Sequence, residues 1–403
     1  MAVNSLTFEQ VSTVLTSIVK QATGQIAETP TDTASFVSVA QVAISAGYDA
    51  VMNAISNVLT RTIFSIRPYS AKMTGLEMDT FRWGNMMRKL SIADSAWQDD
   101  TAYAWPVTYD SSQTGHENGD GYSVDPWTIK KPDLIQTNFY GASVYFDEMT
   151  ITEDQLESAF TGPEELGSFL TLIMTNLSNR LEMSNEGLRR GLVCNAIAAI
   201  KAENNSARQI HLLTEYNAAT GENFVATDIY HPDNFDGFCK WAYARIQNVC
   251  DLFAANSTMF QTIINSKNIL RHTPPEMLRI YMYSPLLRQV DARVLADTYH
   301  ENFLKLSDVE ALPYWQSIHT PDTVKAKPVY TSTSGVATTG SNTTVSNVVG
   351  LIFDRDAMGM TILDRRVLST PLNTKGLYRN LHVHCKQRVV MDNSEKMALL
   401  TLD

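Results

Sequence analysis

His382, His384 and Cys385 are the residues whose types and spacing come nearest to a metal site. Imidazole and thiolate are the usual ligands of zinc-like ions, and on a strand residues two apart project to one face. His382 and His384 meet that demand as a pair, but Cys385 points to the opposite face and no third ligand is identifiable. The reading is therefore a structural histidine pair. A second candidate is Gly115-His116-Glu117-Asn118-Gly119-Asp120-Gly121, which has the glycines and acids of a cation or phosphate loop. No glutamate falls at the twelfth position of an EF-hand and no Walker lysine follows the glycines, so a hairpin tip is expected there. The four cysteines, Cys194, Cys239, Cys250 and Cys385, form no CxxC pair and are expected as buried, reduced thiols. No GxSxG, HExxH, GxxxxGK(S/T) or GxGxxG run occurs. No catalytic, cofactor-binding or metal-binding residue is assigned, and an enzyme is not expected.

The elements that would position these residues are extended ones. From 163 to about 201, Leu166, Leu170, Ile173, Leu177, Leu181, Leu188, Leu192, Ala196 and Ile200 recur at the period of one helix face. Gly162 suits the N-cap, Pro163 the first helical position, and Glu164 and Glu165 the positive helix end. One helix of this length spans roughly 55–60 Å, a spine longer than a compact core needs. Gly167, Gly187 and Gly191 leave two shorter helices as the alternative. Arg180 and Glu182 exclude a membrane span.

Ahead of the spine, Thr7 and Gln10 fit a capping box for a helix whose stripe is Phe8, Val11, Leu15, Ile18 and Val19, ending at Gly24. After a Thr/Pro-rich gap at 29–33, Val51, Met52, Ile55, Val58 and Leu59 mark a second helical run. This arm packs either on its own subunit or on a neighbour. Phe81, Trp83, Met86, Met87, Leu90 and Ile92 read as core packing. Strand formers at 103–109, a Gly-rich stretch at 111–121 and alternation over 134–146 make a two-stranded excursion. So long a hairpin is marginal alone and should lie on a partner or another part of the chain.

Beyond the spine, Phe235, Phe238, Trp241, Ala242, Arg245, Ile246 and Val249 mark a helix with Asp233 as cap. Residues 278–283 read as a strand, Ser284-Pro285 as a helix start, and 331–347 as a flexible loop. Strands are expected at 348–353, 358–363, 377–390 and 398–402.

Composition sets the outer limits. The chain has 403 residues, 44% of them hydrophobic, enough for a substantial core, and a formal charge of -11. Such acidity argues against phosphate-backbone binding as the main task. Residues 351–403 hold eight Lys or Arg against six Asp or Glu, a balance of +2 too slight to argue for DNA binding. No basic residue precedes Lys20 and no stretch reaches about 18 uncharged apolar residues, so a soluble, cytosol-made protein is expected.

The order of these parts, with Gly162-Pro163-Glu164-Glu165 opening the spine, resembles the Hong Kong 97-type major capsid protein of tailed bacteriophages. The likeness to the short-tailed phage type rests on Arg271-His272-Thr273-Pro274-Pro275, Tyr281-Met282-Tyr283-Ser284-Pro285 and Val367-Leu368-Ser369-Thr370-Pro371-Leu372-Asn373. The resemblance implies an α+β Hong Kong 97-like capsid fold with N-terminal arm, extended hairpin loop, long spine helix, and peripheral and axial domains. Residues 1–100 would be the arm and start of the peripheral domain, 101–150 the extended β-hairpin, and 151–205 the peripheral domain with its spine helix. Residues 206–347 would be the axial domain and 348–403 the returning peripheral strands.

The implied function is a structural head protein that self-assembles into pentamers and hexamers of an icosahedral shell around phage double-stranded DNA. Implied partners are further copies of the chain, a separate scaffold protein, the portal and other head proteins, and weakly contacted DNA, with no membrane and no cofactor. The implied location is the virion capsid, assembled in the host cytoplasm. Some members of the family cross-link a loop lysine to a neighbour's asparagine; Lys130 and Lys131 against Asn373, Asn380 and Asn393 show no spacing that indicates such a pair. An encapsulin-type compartment shell and a soluble enzyme with an unrecognised site are the alternatives.

Overall fold

A computed structural model describes residues 8–24, 29–47, 50–55, 72–78, 86–92, 134–160, 162–288 and 309–403. The first half contains α1 (Phe8–Thr23), α2 (Thr33–Ser45), β1 (Met86–Ile92), β2 (Leu134–Tyr140), β3 (Ser143–Thr152), α3 (Glu153–Ala159) and α4 (Pro163–Glu203). It is followed by β4 (Gln209–His211), α5 (Leu212–Thr220), α6 (Ala226–Ile229), α7 (Pro232–Ala254), β5 (Leu278–Tyr283) and β6 (Val309–Leu312). The C-terminal part is strands apart from a 3-10 turn at Arg355–Ala357: β7 (Val324–Ala326), β8 (Val329–Thr331), β9 (Ala337–Thr339), β10 (Thr343–Val345), β11 (Val348–Asp354), β12 (Met358–Ser369), β13 (Tyr378–Met391) and β14 (Met397–Thr401).

The spine is a single helix of 41 residues, about 60 Å long at 1.5 Å per residue. It begins at Gly162 with Pro163 in its first turn and ends at Asn204 in the left-handed conformation. Gly187 and Gly191 sit on its exposed side with nothing near their Cα hydrogens, so they interrupt no contact. Their intrinsic cost of about 1 kcal/mol each is outweighed by the buried face, where each enclosed Leu or Ile contributes about 1.5–3 kcal/mol.

That face explains the helix's length, because it serves two cores in succession. Leu166, Ile173, Leu177 and Leu181 pack with α1, α2, residues 50–55 and the sheet β12-β13-β3. Leu192, Val193, Ala196, Ile197 and Ile200 pack instead on one face of the five-stranded sheet β4-β14-β11-β5-β6. The other face of that sheet is covered by α7 through Phe235, Phe238, Ile246, Val249 and Phe253. Along β11, Leu351 and Phe353 face the spine and Ile352 faces α7, while a register shift between Val348 and Gly350 breaks the alternation and puts Val349 on the α7 side as well. A strand buried on both faces reads as a continuous apolar run, as Val-Val-Gly-Leu-Ile-Phe does here.

Sheet membership cuts across the division drawn at 347/348. β11 and β14 pair with β5 and β4 in the five-stranded sheet, and only β12 and β13 join β3 in the other. The arm packs on its own subunit, since Val11, Leu15, Ile18 and Val19 all lie in the first core beside the spine.

Several local expectations are corrected. The second helix starts at Thr33, where the Asp32 carboxylate accepts from Ser35 N–H at 2.7 Å, and 50–55 is a separate helical stretch. The cap of α7 is His231, whose ring accepts from Asp233 N–H, and not Asp233. Residues 331–347 are not a structureless loop: β8 pairs with β9 and β10 with β7, around a turn in which Gly335 takes φ +75°. Thr, the commonest residue of this stretch, favours strands wherever a partner edge is in reach. The expected strand at 134–146 is two strands, β2 and β3, parted at Gly141 with φ +86°, a conformation disfavoured for residues bearing a Cβ. The excursion at 103–109, the loop 115–121, Lys130, Lys131, Phe81 and Trp83 lie outside the described residues. No helix among the described residues is long and apolar enough to cross a membrane.

Candidate functional site

β1 and β2 form an antiparallel ribbon with Met86 opposite Tyr140 at its base and Ile92 opposite Leu134 at its far end. Among the described residues, neither strand pairs with any other. Directly opposed residues share a face, so Met87, Lys89, Ser91, Ile135, Thr137 and Phe139 make one side of the ribbon, and all six are half-buried. The other side carries Leu90, Ile92, Leu134 and Tyr140, exposed by 60%, 62%, 55% and 71%. Leu90 and Ile92 thus depart from their expected place in the core, because strand alternation turns every second residue outward. Four large apolar side chains thus stand exposed on one strand face, Tyr140 parted from the other three by the Arg88–Asn138 pair, which makes this face a candidate interaction surface. Val144 and Phe146, on the following strand, are exposed as well.

The half-buried side rests on a polar hub built from the turn between β13 and β14. Lys89 Nζ lies 2.8 Å from Asp392 Oδ2 and also pairs with Glu395. Arg271 reaches the same Glu395 at 2.5 Å and donates from Nη2 to Ser91 Oγ and Ser394 Oγ, each at 3.2 Å. Burial opposes the Lys89 ammonium, but Asp392 and Glu395 outweigh it and raise its pKa above the ordinary lysine value. Burial also pushes Asp392 upward, yet the Lys89 charge and hydrogen bonds from Lys89 and Ser394 hold it below the ordinary aspartate value. For Glu395 burial wins over Lys89 and Arg271, and its pKa is raised.

The same turn fastens two helix ends. Lys396 is fully buried and donates to the carbonyls of Phe253 at 3.0 Å and Ala255 at 2.6 Å, satisfying groups that the end of α7 leaves without helical partners. Asn393 donates to Glu203 at the end of the spine, and Glu203 also pairs with the buried Arg208. Thr262 Oγ1 donates to Glu203 at 2.9 Å and accepts from Arg208 at 2.8 Å. Burial lowers the Arg208 pKa against the pull of Glu203. Ribbon, spine and α7 therefore converge on residues 392–396.

His382 and His384 do share a face of β13, with ring centroids 6.3 Å apart and Phe146 beside both. Glu148 is 3.9 Å from His382, Cys385 is buried on the opposite face, and no cluster of three potential ligands occurs among the described residues. Asn393 is buried and committed to Glu203, and Asn380 accepts from Thr150 Oγ1 at 2.8 Å.

A family model described as Phi29-like phage major capsid protein matches residues 15–401. The chain belongs to that family. It is a structural capsid shell protein of a bacteriophage, located in the virion, and not an enzyme. Among solved structures, the capsid of Staphylococcus phage Andhra matches with TM-score 0.52 at 9% identity, over 84% of this chain and 87% of that chain. The capsid of cyanophage P-SCSP1u matches at TM-score 0.41 and 13% identity, over 84% of this chain and 89% of that one. No curated protein sequence matches. The mixed architecture is the Hong Kong 97-like capsid fold, and the shell subunit's working surfaces are those that meet other copies.

Proposed function

We propose that this capsid protein assembles into pentamers and hexamers of a closed icosahedral shell around phage double-stranded DNA, with the β1–β2 ribbon seated on a neighbouring copy. The observation that carries this reading is the division of the ribbon into a half-buried side and an open side bearing Leu90, Ile92, Leu134 and Tyr140. An apolar strand face left uncovered in the subunit favours association, and one heterologous contact repeated by rotation closes rings. Many modest contacts then stabilise the closed shell without any very tight pair.

The peripheral domain is formed by α1 to α3, the first half of the spine and the sheet β12-β13-β3, and the axial domain by the five-stranded sheet with α5 to α7. The spine ties the two together. A net charge of -11 supports weak, non-specific contact with packaged DNA. Assembly takes place in the host cytoplasm with a separate scaffold protein, and the shell incorporates a portal and other head proteins. Electron microscopy of the purified chain, alone and with the candidate scaffold, tests this: rings of five and six and closed shells are expected, and a stable monomer under all conditions overturns it.

A further inference from the structure

We propose that Lys89 is a positioning residue for assembly: it bolts the β1–β2 ribbon to the 392–396 turn and so sets the angle at which the ribbon leaves the subunit. The ribbon is anchored at its base, where Arg388 Nε donates to Gly141 O at 2.8 Å and the chain passes into β3, itself locked to β13 over ten paired residues from Tyr378 to Gln387. Gly141 takes φ +86°, and a bend there alters the ribbon's direction without breaking a ladder bond. Over the seven residues of each strand beyond that base, the ribbon has no backbone pairing except its own among the described residues. Its direction is therefore held by side chains.

Lys89 stands in the middle of β1, and its ammonium enters between two carboxylates that are almost wholly buried, Asp392 and Glu395. The hydrogen bond from the Arg271 guanidinium to Ser91 Oγ adds a second tether, through the same Glu395 cluster. Two positive and two negative groups balance there, so removing Lys89 leaves buried carboxylate charge without its counter-ion, which costs much more than losing an exposed pair. Because Asn393 and Lys396 of the same turn hold the ends of the spine and α7, the bolt ties the ribbon's angle to the junction of both domains.

The part of this inference that concerns assembly rests on the ribbon's seating on a neighbour; the bolt itself does not. Hydrogen exchange of the purified, unassembled full chain separates the two. In Lys89→Met, amides of 86–92 and 134–140 are expected to exchange at least about tenfold faster while those of 278–283, 348–354 and 397–401 stay unchanged. Lys89→Arg is expected to restore the slow rate. The double variant Lys89→Met/Asp392→Asn, which removes the uncompensated charge, keeps the chain folded should the single variant fail, and shows the same selective acceleration. Unchanged ribbon exchange, equal acceleration in ribbon and reference strands, or an Arg variant as fast as the Met variant overturns the bolt. Selective acceleration together with shells of normal size and yield supports the bolt and overturns the ribbon's part in assembly.

Discussion

A Cβ built on Gly167 of α4 would stand 3.0 Å from Cγ2 of Val11 on α1. The arm lies so close to the spine that only glycine fits without a shift of its neighbour, whereas Gly187 and Gly191 on the same helix face open space. Opposite outcomes are expected. Gly167→Leu overpacks the contact, lowers stability by about 1–3 kcal/mol and speeds exchange in α1. Gly191→Ala raises stability by about 0.5–1 kcal/mol through helix propensity. Denaturant unfolding of both variants checks the pair.

Acid should weaken the hub through Asp392. Its folded pKa is below the ordinary 3.8, so its stabilising contribution is present above that value and is lost as pH falls through the folded pKa. Glu395, raised above 4.5, has the opposite sign: on acidification through its folded pKa the native state takes up the proton first and gains stability. Urea midpoints measured from pH 7 to pH 3 (about half-unit steps) are expected to fall steeply only at the acid end, and Asp392→Asn flattens that fall.

The open ribbon face should matter to assembly and little to the subunit. Leu90→Ser/Ile92→Ser changes side chains that are mostly in water, so subunit stability is expected to hold within about 0.5 kcal/mol. The yield of rings and shells, followed by sedimentation velocity and electron microscopy, is expected to drop severely. The control Met183→Ser, at another exposed apolar position on the spine, is expected to assemble normally.

Two thiols should be inert while the chain is folded. Burial pushes Cys194 up to about 11, against the opposing charge of Arg190, and burial with the neighbouring Asp251 pushes Cys250 up to about 11. The thiolate is the nucleophile, so iodoacetamide at neutral pH is expected to leave both unmodified until denaturant is added. Mass spectrometry of the labelled peptides reads the result.

The sequence by itself determined the local elements. The spine was legible because its apolar face repeats over eleven turns and its Gly-Pro start is a local signal, and the continuous apolar run at 348–353 announced a strand, which the fold buries on both sides. Its working surface was less so. Alternation marked 134–146 as strand but says nothing of its partner, since every ladder imposes the same period of two; the described partner of Leu134–Tyr140 is Met86–Ile92, in a stretch that read as core.

The hub was illegible for a stronger reason. Asp392-Asn393-Ser394-Glu395-Lys396 has the composition of a surface turn, yet all five residues are buried, and the lysine that bridges two of them lies some three hundred positions earlier in the chain. Charges of opposite sign attract through space at whatever separation the fold leaves between them, and sequence spacing carries no record of that distance. Tertiary structure alone decided that β1 meets the 392–396 turn, that one helix serves two cores, and that four apolar side chains of the ribbon remain exposed.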